Sequence, residues 1–181
     1  YFSQSLGGMT VFTTPGSQTL DITNVTVADN FATGNLGAGM AVADAITGEL
    51  LHVTITGNDN SGEFSFASAI AGGAGLSLDR SLIVDNDKTF VFENTSCNVT
   101  HSGGDVVQWP MFNEFGQAEL PCAAGTTFQD VPIGPLQNNG GFTATVMPTD
   151  SSIIESLNGC SGNDQRGVPR GATCTPGAVE P

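Results

Sequence analysis

The chain has 181 residues, 18 acidic against 4 basic, and its net charge of −14 argues against nucleic acid and anionic membrane surfaces as partners. Charged residues make up only 12% while glycine fills 24 positions, a composition suited to tight corners and poor for helices. No apolar run reaches the length of a membrane span, the longest (66–78) being short and broken by glycine, and no basic segment followed by an apolar one marks a leader, which leaves a mature chain or a fragment.

The first predicted element is 19-TLDITNVTVADN-30, and it recurs as 47-TGELLHVTITGN-58 and 75-GLSLDRSLIVDN-86. Asn30, Asn58 and Asn86 fall 28 residues apart, and the same step places Ile22 on Leu50 and Leu78, and Val27 on Ile55 and Ile83. A fixed period of this size marks a repeat architecture. Within each repeat, Leu20 and Ile22 alternate with polar residues as in a strand with one buried face, and Val25 and Val27 alternate again with the phase shifted by one. A one-residue shift reverses the faces unless the chain turns a corner at Thr23-Asn24. Two short strands meeting at a corner, both pointing inward, make one coil of a β-solenoid, and stacking the coils about 4.8 Å apart lines up one core. The three Asn are then expected to form a side-chain amide ladder. Residues 7–11 resemble 37–42 at a longer offset, which predicts a third strand per coil with loops of varying length. The fold class expected is all-β: a right-handed parallel β-helix of about 28 residues per coil, with an irregular, disulfide-bonded C-terminal cap.

Residues 1–86 form the repeat region and 87–181 the final coil or coils and the cap, in one continuous domain. By the 28-residue register Tyr1 aligns with Asp29, so the chain starts in mid-coil, and an uncapped first coil is expected. The cap is expected to cover the far end of the solenoid, and Trp109, Phe112 and Phe115 to plug its core, with sugar stacking by Trp109 and Phe112 as the alternative. Four cysteines pair by spacing as Cys97 with Cys122 and Cys160 with Cys174, other pairings of the four remaining open. No Cys-x-x-Cys is present and only His52 and His101 could assist, so disulfides in an oxidising compartment are preferred over zinc.

The candidate site residues each have a structural reading. Asp164, Arg166 and Arg170 are expected to tie down the loop that Cys160 and Cys174 close, with Glu180 as a nearby acid. Asp29, Asp59, Asp85 and Asp87 flank the Asn ladder; they are the residues that could hold Ca²⁺, against the plainer reading of solvated corners. His52 and His101 read as surface histidines, without a nucleophile arrangement around either. Thr23, Thr26, Thr54 and Thr56 read as a short outward ladder that ends where the third coil has Leu82 and Val84. Asn24, Asn94 and Asn98 begin N-x-S/T sequons. No catalytic residue and no cofactor beyond possible Ca²⁺ is expected.

The motifs GPLQNNGG at 134–141 and DQRGVPR at 164–170, between flanking Cys160 and Cys174, resemble the C-terminal module of bacterial surface β-helix proteins of the "choice-of-anchor" group, related to polymorphic outer-membrane and autotransporter passenger repeats. The phrases 24-NVTVADN-30 and 52-HVTITGN-58 are similar to that group's coils, and the likeness covers about two thirds of the chain. Where members end in Asp-Ile-Gly-Ala, an aromatic and Glu, this chain has Thr175-Pro176-Gly177-Ala178-Val179-Glu180. The resemblance implies an extracellular or cell-surface β-helix and no defined activity. The expected function is therefore structural or adhesive, with self-association end to end into a fibre. Glycan binding, or a pectate-lyase-like activity, is the alternative. Arg80 and Lys88 are the only cations of the solenoid part, and an acidic surface repels uronates.

Overall fold

The computed structural model describes residues 8–12, 18–34, 36–63, 65–88 and 96–181. Tyr1, Phe90, Phe92 and Asn94 lie outside them, as does the side chain of Lys88. Every regular element among the described residues is a β-strand. The first coil holds β1 (Met9–Val11), β2 (Thr19–Thr23), β3 (Thr26–Ala28) and β4 (Phe31–Ala32). The second holds β5 (Met40–Val42), β6 (Thr47–Leu51), β7 (Thr54–Thr56) and β8 (Asp59–Asn60). The third holds β9 (Ile70–Gly72), β10 (Gly75–Asp79), β11 (Leu82–Val84) and β12 (Asp87–Lys88). Each strand pairs in parallel with its counterpart one coil on: Thr19 with Thr47, Thr47 with Gly75, and Phe31 with Asp59. The protein is a parallel β-solenoid of about three turns. The third strand per coil keeps the longer step anticipated for it, Met9 pairing with Met40 and Met40 with Ile70.

The phase shift at Thr23-Asn24 is a corner. Asn24, His52 and Arg80 occupy it with φ of 57°, 51° and 51°, a left-handed conformation that Asn and His adopt more readily than most residues. Because the chain bends there, Leu50 and Leu78 before the corner and Ile55 and Ile83 after it all point into one core, fully buried with Met40, Ile46, Ile70 and Leu76. A second left-handed corner follows at Asp29, Gly57 and Asp85. Beyond it the Asn ladder forms as expected. Asn30 Nδ2 donates to Asn58 Oδ1, and Asn58 Nδ2 to Asn86 Oδ1, each at 2.8 Å. Asn58 Oδ1 and Asn86 Oδ1 also accept the backbone N–H of Asn30 and Asn58, one coil before, and the amides donate to carbonyls such as Val27, Ile55 and Val84. Buried backbone groups at a turn need such partners, and asparagine supplies a donor and an acceptor together.

The regular coils give way to β13 (His101–Gln108), which pairs with both β10 and β11, and β14 (Ala123–Phe128), which pairs with β13 through register shifts around Gly104. Cys97 and Cys122 are bonded within the core, and Cys160 and Cys174 near the C-terminus. His101 is buried, not at the surface: its ring nitrogens lie 2.8 Å from the Cys122 carbonyl oxygen and 3.2 Å from that of Gly72, bridging three layers.

The C-terminal segment differs most from expectation. It carries β15 (Leu157–Asn158) and β16 (Thr173–Cys174), an antiparallel pair, and it docks along the side of the solenoid instead of on its end. Ala178 N–H donates to Thr54 Oγ1, Gly177 N–H to the Arg80 carbonyl, Thr26 Oγ1 to Gln165, and Arg170 to Asn24. These contacts touch all three coils, so the segment is a lateral clasp. The reason lies in the outward face of β11: Leu82 and Val84 point away from the core, and clasp residues Val131, Ile133 and Ile153 cover them.

Candidate functional site

The first coil presents one notable surface. Its inward side chains Met9, Val11, Ile22 and Val27 are only half-buried, while their partners one coil on, Met40, Val42, Leu50 and Ile55, are at most 5% exposed. Among the described residues β1, β2, β3 and β4 each pair on one side only. Among the described residues, strand edges and half-buried core side chains thus lie side by side on this face of the first coil.

The seam between clasp and solenoid concentrates the charged groups. Asp164 Oδ1 accepts N–H bonds from Arg166 and Val168, and Oδ2 accepts from the Arg166 guanidinium at 2.7 and 2.9 Å and from Glu180 N at 3.0 Å. Burial would push this carboxyl up, but the bonds from Glu180, Arg166 and Val168 outweigh it and hold the pKa below the usual value. Arg170 is buried, paired with Glu180, and bonded to Asn24 Oδ1 at 2.9 Å and the Gly177 carbonyl at 2.9 Å. The cluster thus performs the tie-down read from its sequence, and its partners reach 146 residues along the chain. Arg80 donates to the carbonyls of Gly159 and Asn158, each at 3.2 Å, with Asp105 3.9 Å away. The one solenoid cation with a described side chain is therefore a clasp anchor.

His52 also lies under the clasp, 4% exposed, in place of the surface position expected of it. Burial lowers its pKa to about 4, helped by the cations of Arg170 and Arg80 and opposed by a hydrogen bond to the Gly177 backbone. Its Nδ1 is buried without a hydrogen-bond partner, as suits a neutral ring. Thr54 and Thr56 are buried as well, and Thr26 and Thr54 bond to the clasp, so this part of the threonine ladder lies under the clasp while Thr23 stays exposed. Nothing in the spacing of these residues shows which outward face is covered; the change from Thr54 and Thr56 to Leu82 and Val84 was the available signal.

The four acidic candidates separate into two columns. Asp59 and Asp87 pair between β8 and β12, and burial first, then the Asp87 charge, raises Asp59. Asp29 and Asp85 sit two coils apart with Gly57 between them; burial and the Asp130 charge raise Asp85. Among the described residues no three His, Cys, Asp or Glu side chains converge as a metal-holding group. Of the three aromatics, none plugs the core: Trp109 packs outside it with Leu82, Val84 and Val107, while Phe112 and Phe115 are exposed. Asn24 is engaged by Arg170 and donates to the Asn163 carbonyl at 2.7 Å.

A cleft that the sequence reading passed over lies on the outward face of β5 and β9. Ala41 and Ala71 form its floor, Phe12, Leu36 and Phe66 its walls, and Asp44 and Asn98 its polar rim, enclosing about 280 Å³. No family model, no curated protein and no solved structure matches the chain.

Proposed function

We propose that this is a non-enzymatic structural and adhesive β-helix of the extracellular space or cell surface, which extends by stacking a further coil on its first one. The half-buried row Met9, Val11, Ile22 and Val27 carries this reading, because the same columns are closed wherever a neighbouring coil is present. We propose a second copy of the chain as that further coil: joining first coil to β14 edge, head to tail, would repeat without closing and give a filament. Two disulfides suit an oxidising compartment, and the likeness of 134–141 and 164–170 to the choice-of-anchor module supports a cell-surface setting. Copies carrying −14 each repel, so stacking should strengthen as salt screens them.

Negative-stain microscopy and sedimentation velocity over a range of concentrations, at low salt and at about 0.5 M, test the proposal. End-to-end particles that lengthen with salt and are lost in Ile22→Lys and Val27→Lys variants that still sediment as folded monomers are expected. Monodisperse monomers under all conditions would sink it. The cleft over Ala41 and Ala71 favours a second reading, a passive glycan-binding module, because it combines exposed aromatic walls with hydrogen-bonding groups at its rim.

A further inference from the structure

We infer that the cleft on the β5–β9 face is a subsite for one or two rings of a neutral glycan; this rests on the glycan-binding reading and specifies its site and ligand class. Phe12 leaves the C-terminal end of β1 and Phe66 approaches the N-terminal end of β9, so the two rings stand at opposite ends of the strands, 59% and 45% exposed. Between them the floor is Ala41 and Ala71, buried beneath the cleft yet outside the solenoid core. Methyl side chains there let a flat ligand approach the sheet closely. The apolar C–H face of a pyranose needs such a surface, and aromatic rings attract it.

The rim supplies what the hydroxyls need. Asp44 Oδ1 accepts the Ala74 N–H at 3.2 Å, leaving Oδ2 as an acceptor for a sugar hydroxyl. Asn98 Oδ1 accepts the Gly72 N–H at 2.8 Å, leaving Nδ2 as a donor. Both side chains are thus oriented by backbone bonds before any ligand arrives. Charge decides the class. Among the described residues the only ionisable group lining the cleft is the Asp44 carboxylate, and the chain as a whole carries −14, so uronates and sialylated glycans are repelled while neutral rings are not. The same charge opposes insertion of Phe142, the fully exposed ring of the 138–143 turn, from a second copy, since so small a contact gains little against the repulsion.

NMR titration of the isotopically labelled, disulfide-intact protein tests the assignment, with cellotriose, maltotriose and chitotriose as neutral probes and trigalacturonate as the charged one, each to about 20 mM. At least one neutral probe should shift the Ala41, Ala71 and Gly72 amides saturably, with a Kd in the millimolar range. Phe12→Ala and Phe66→Ala, both at exposed positions, should each weaken that binding about fivefold or more without changing the melting temperature. Trigalacturonate should bind about tenfold more weakly. Equal or tighter binding of trigalacturonate would overturn the neutral class and leave a glycan-binding protein. No shift with any of the four would overturn both. Shifts indifferent to Phe12 and Phe66 would place the ligand elsewhere. Shifts of the same amides with protein concentration alone, abolished by Phe142→Ser, would give the cleft to a second copy.

Discussion

At the scale of single residues, His52 shows how a corner position becomes a pH-sensitive one. A left-handed corner admits histidine, and the clasp then buries it between Arg80 and Arg170. Unfolded, the ring binds its proton near 6.5; folded, near about 4. Between those values the unfolded chain holds the extra proton, so the stability fully present above 6.5 is lost as pH falls toward 4. The loss amounts to about 3 kcal/mol at most. Asp164 adds a loss of the same direction further down, its depressed pKa withdrawing support as pH drops below its usual 3.8. Asp59 and Asp85, raised by burial, work in the opposite direction in acid. Melting temperatures measured from pH 7 to 4 should therefore fall, and His52→Gln should flatten that part of the curve while leaving the decline below it. An unchanged slope in the variant would show that another group titrates there.

At the scale of the element, the ladder is the part of the fold most legible in the sequence. Three Asn at one interval can be read from the chain alone, because a buried amide ladder demands the same residue at the same place in every coil. Asn58 is its centre, receiving from Asn30 and donating to Asn86, Thr56 and Val27. Asn58→Ala leaves several of these groups buried without partners and should cost about 3 kcal/mol, visible as a lower denaturant midpoint. A change within experimental error would mean that water enters and replaces the amide. The clasp was less legible for a physical reason. Its attachment to the first two coils runs through Arg170–Asn24, Gln165–Thr26 and Ala178–Thr54, pairs more than a hundred residues apart with no shared period. The local cluster Asp164–Arg166 could be read because its partners are two residues apart; the burial of His52 and the cleft between Phe12 and Phe66 depend on which outward face is covered, which a repeat does not encode.

At the scale of the whole molecule, two features frame the stack: a first coil whose strands pair on one side only among the described residues, and a clasp that spans all three coils. Gly177 is the tightest point of the second. Its φ is +101°, and an added Cβ would lie 2.6 Å from Thr54 Oγ1 and 3.2 Å from Leu82 Cβ. Gly177→Ala should destabilise by about 2 kcal/mol and raise hydrogen exchange at Ala178 and Gly177 ahead of the core strands. Uniform protection across clasp and core in that variant would argue that the clasp is not a separate layer. Stacked coils without such a tie are quasi-one-dimensional, free to fray from an end one rung at a time. Fastening the clasp through Arg170 to Asn24 of the first coil opposes that freedom: a rung that peels away must break the strap, and the strap cannot be tied until the rungs are assembled. A solenoid built this way should behave mechanically less like a zipper than like a buckled belt, holding nearly full strength until one fastening gives and then yielding at once.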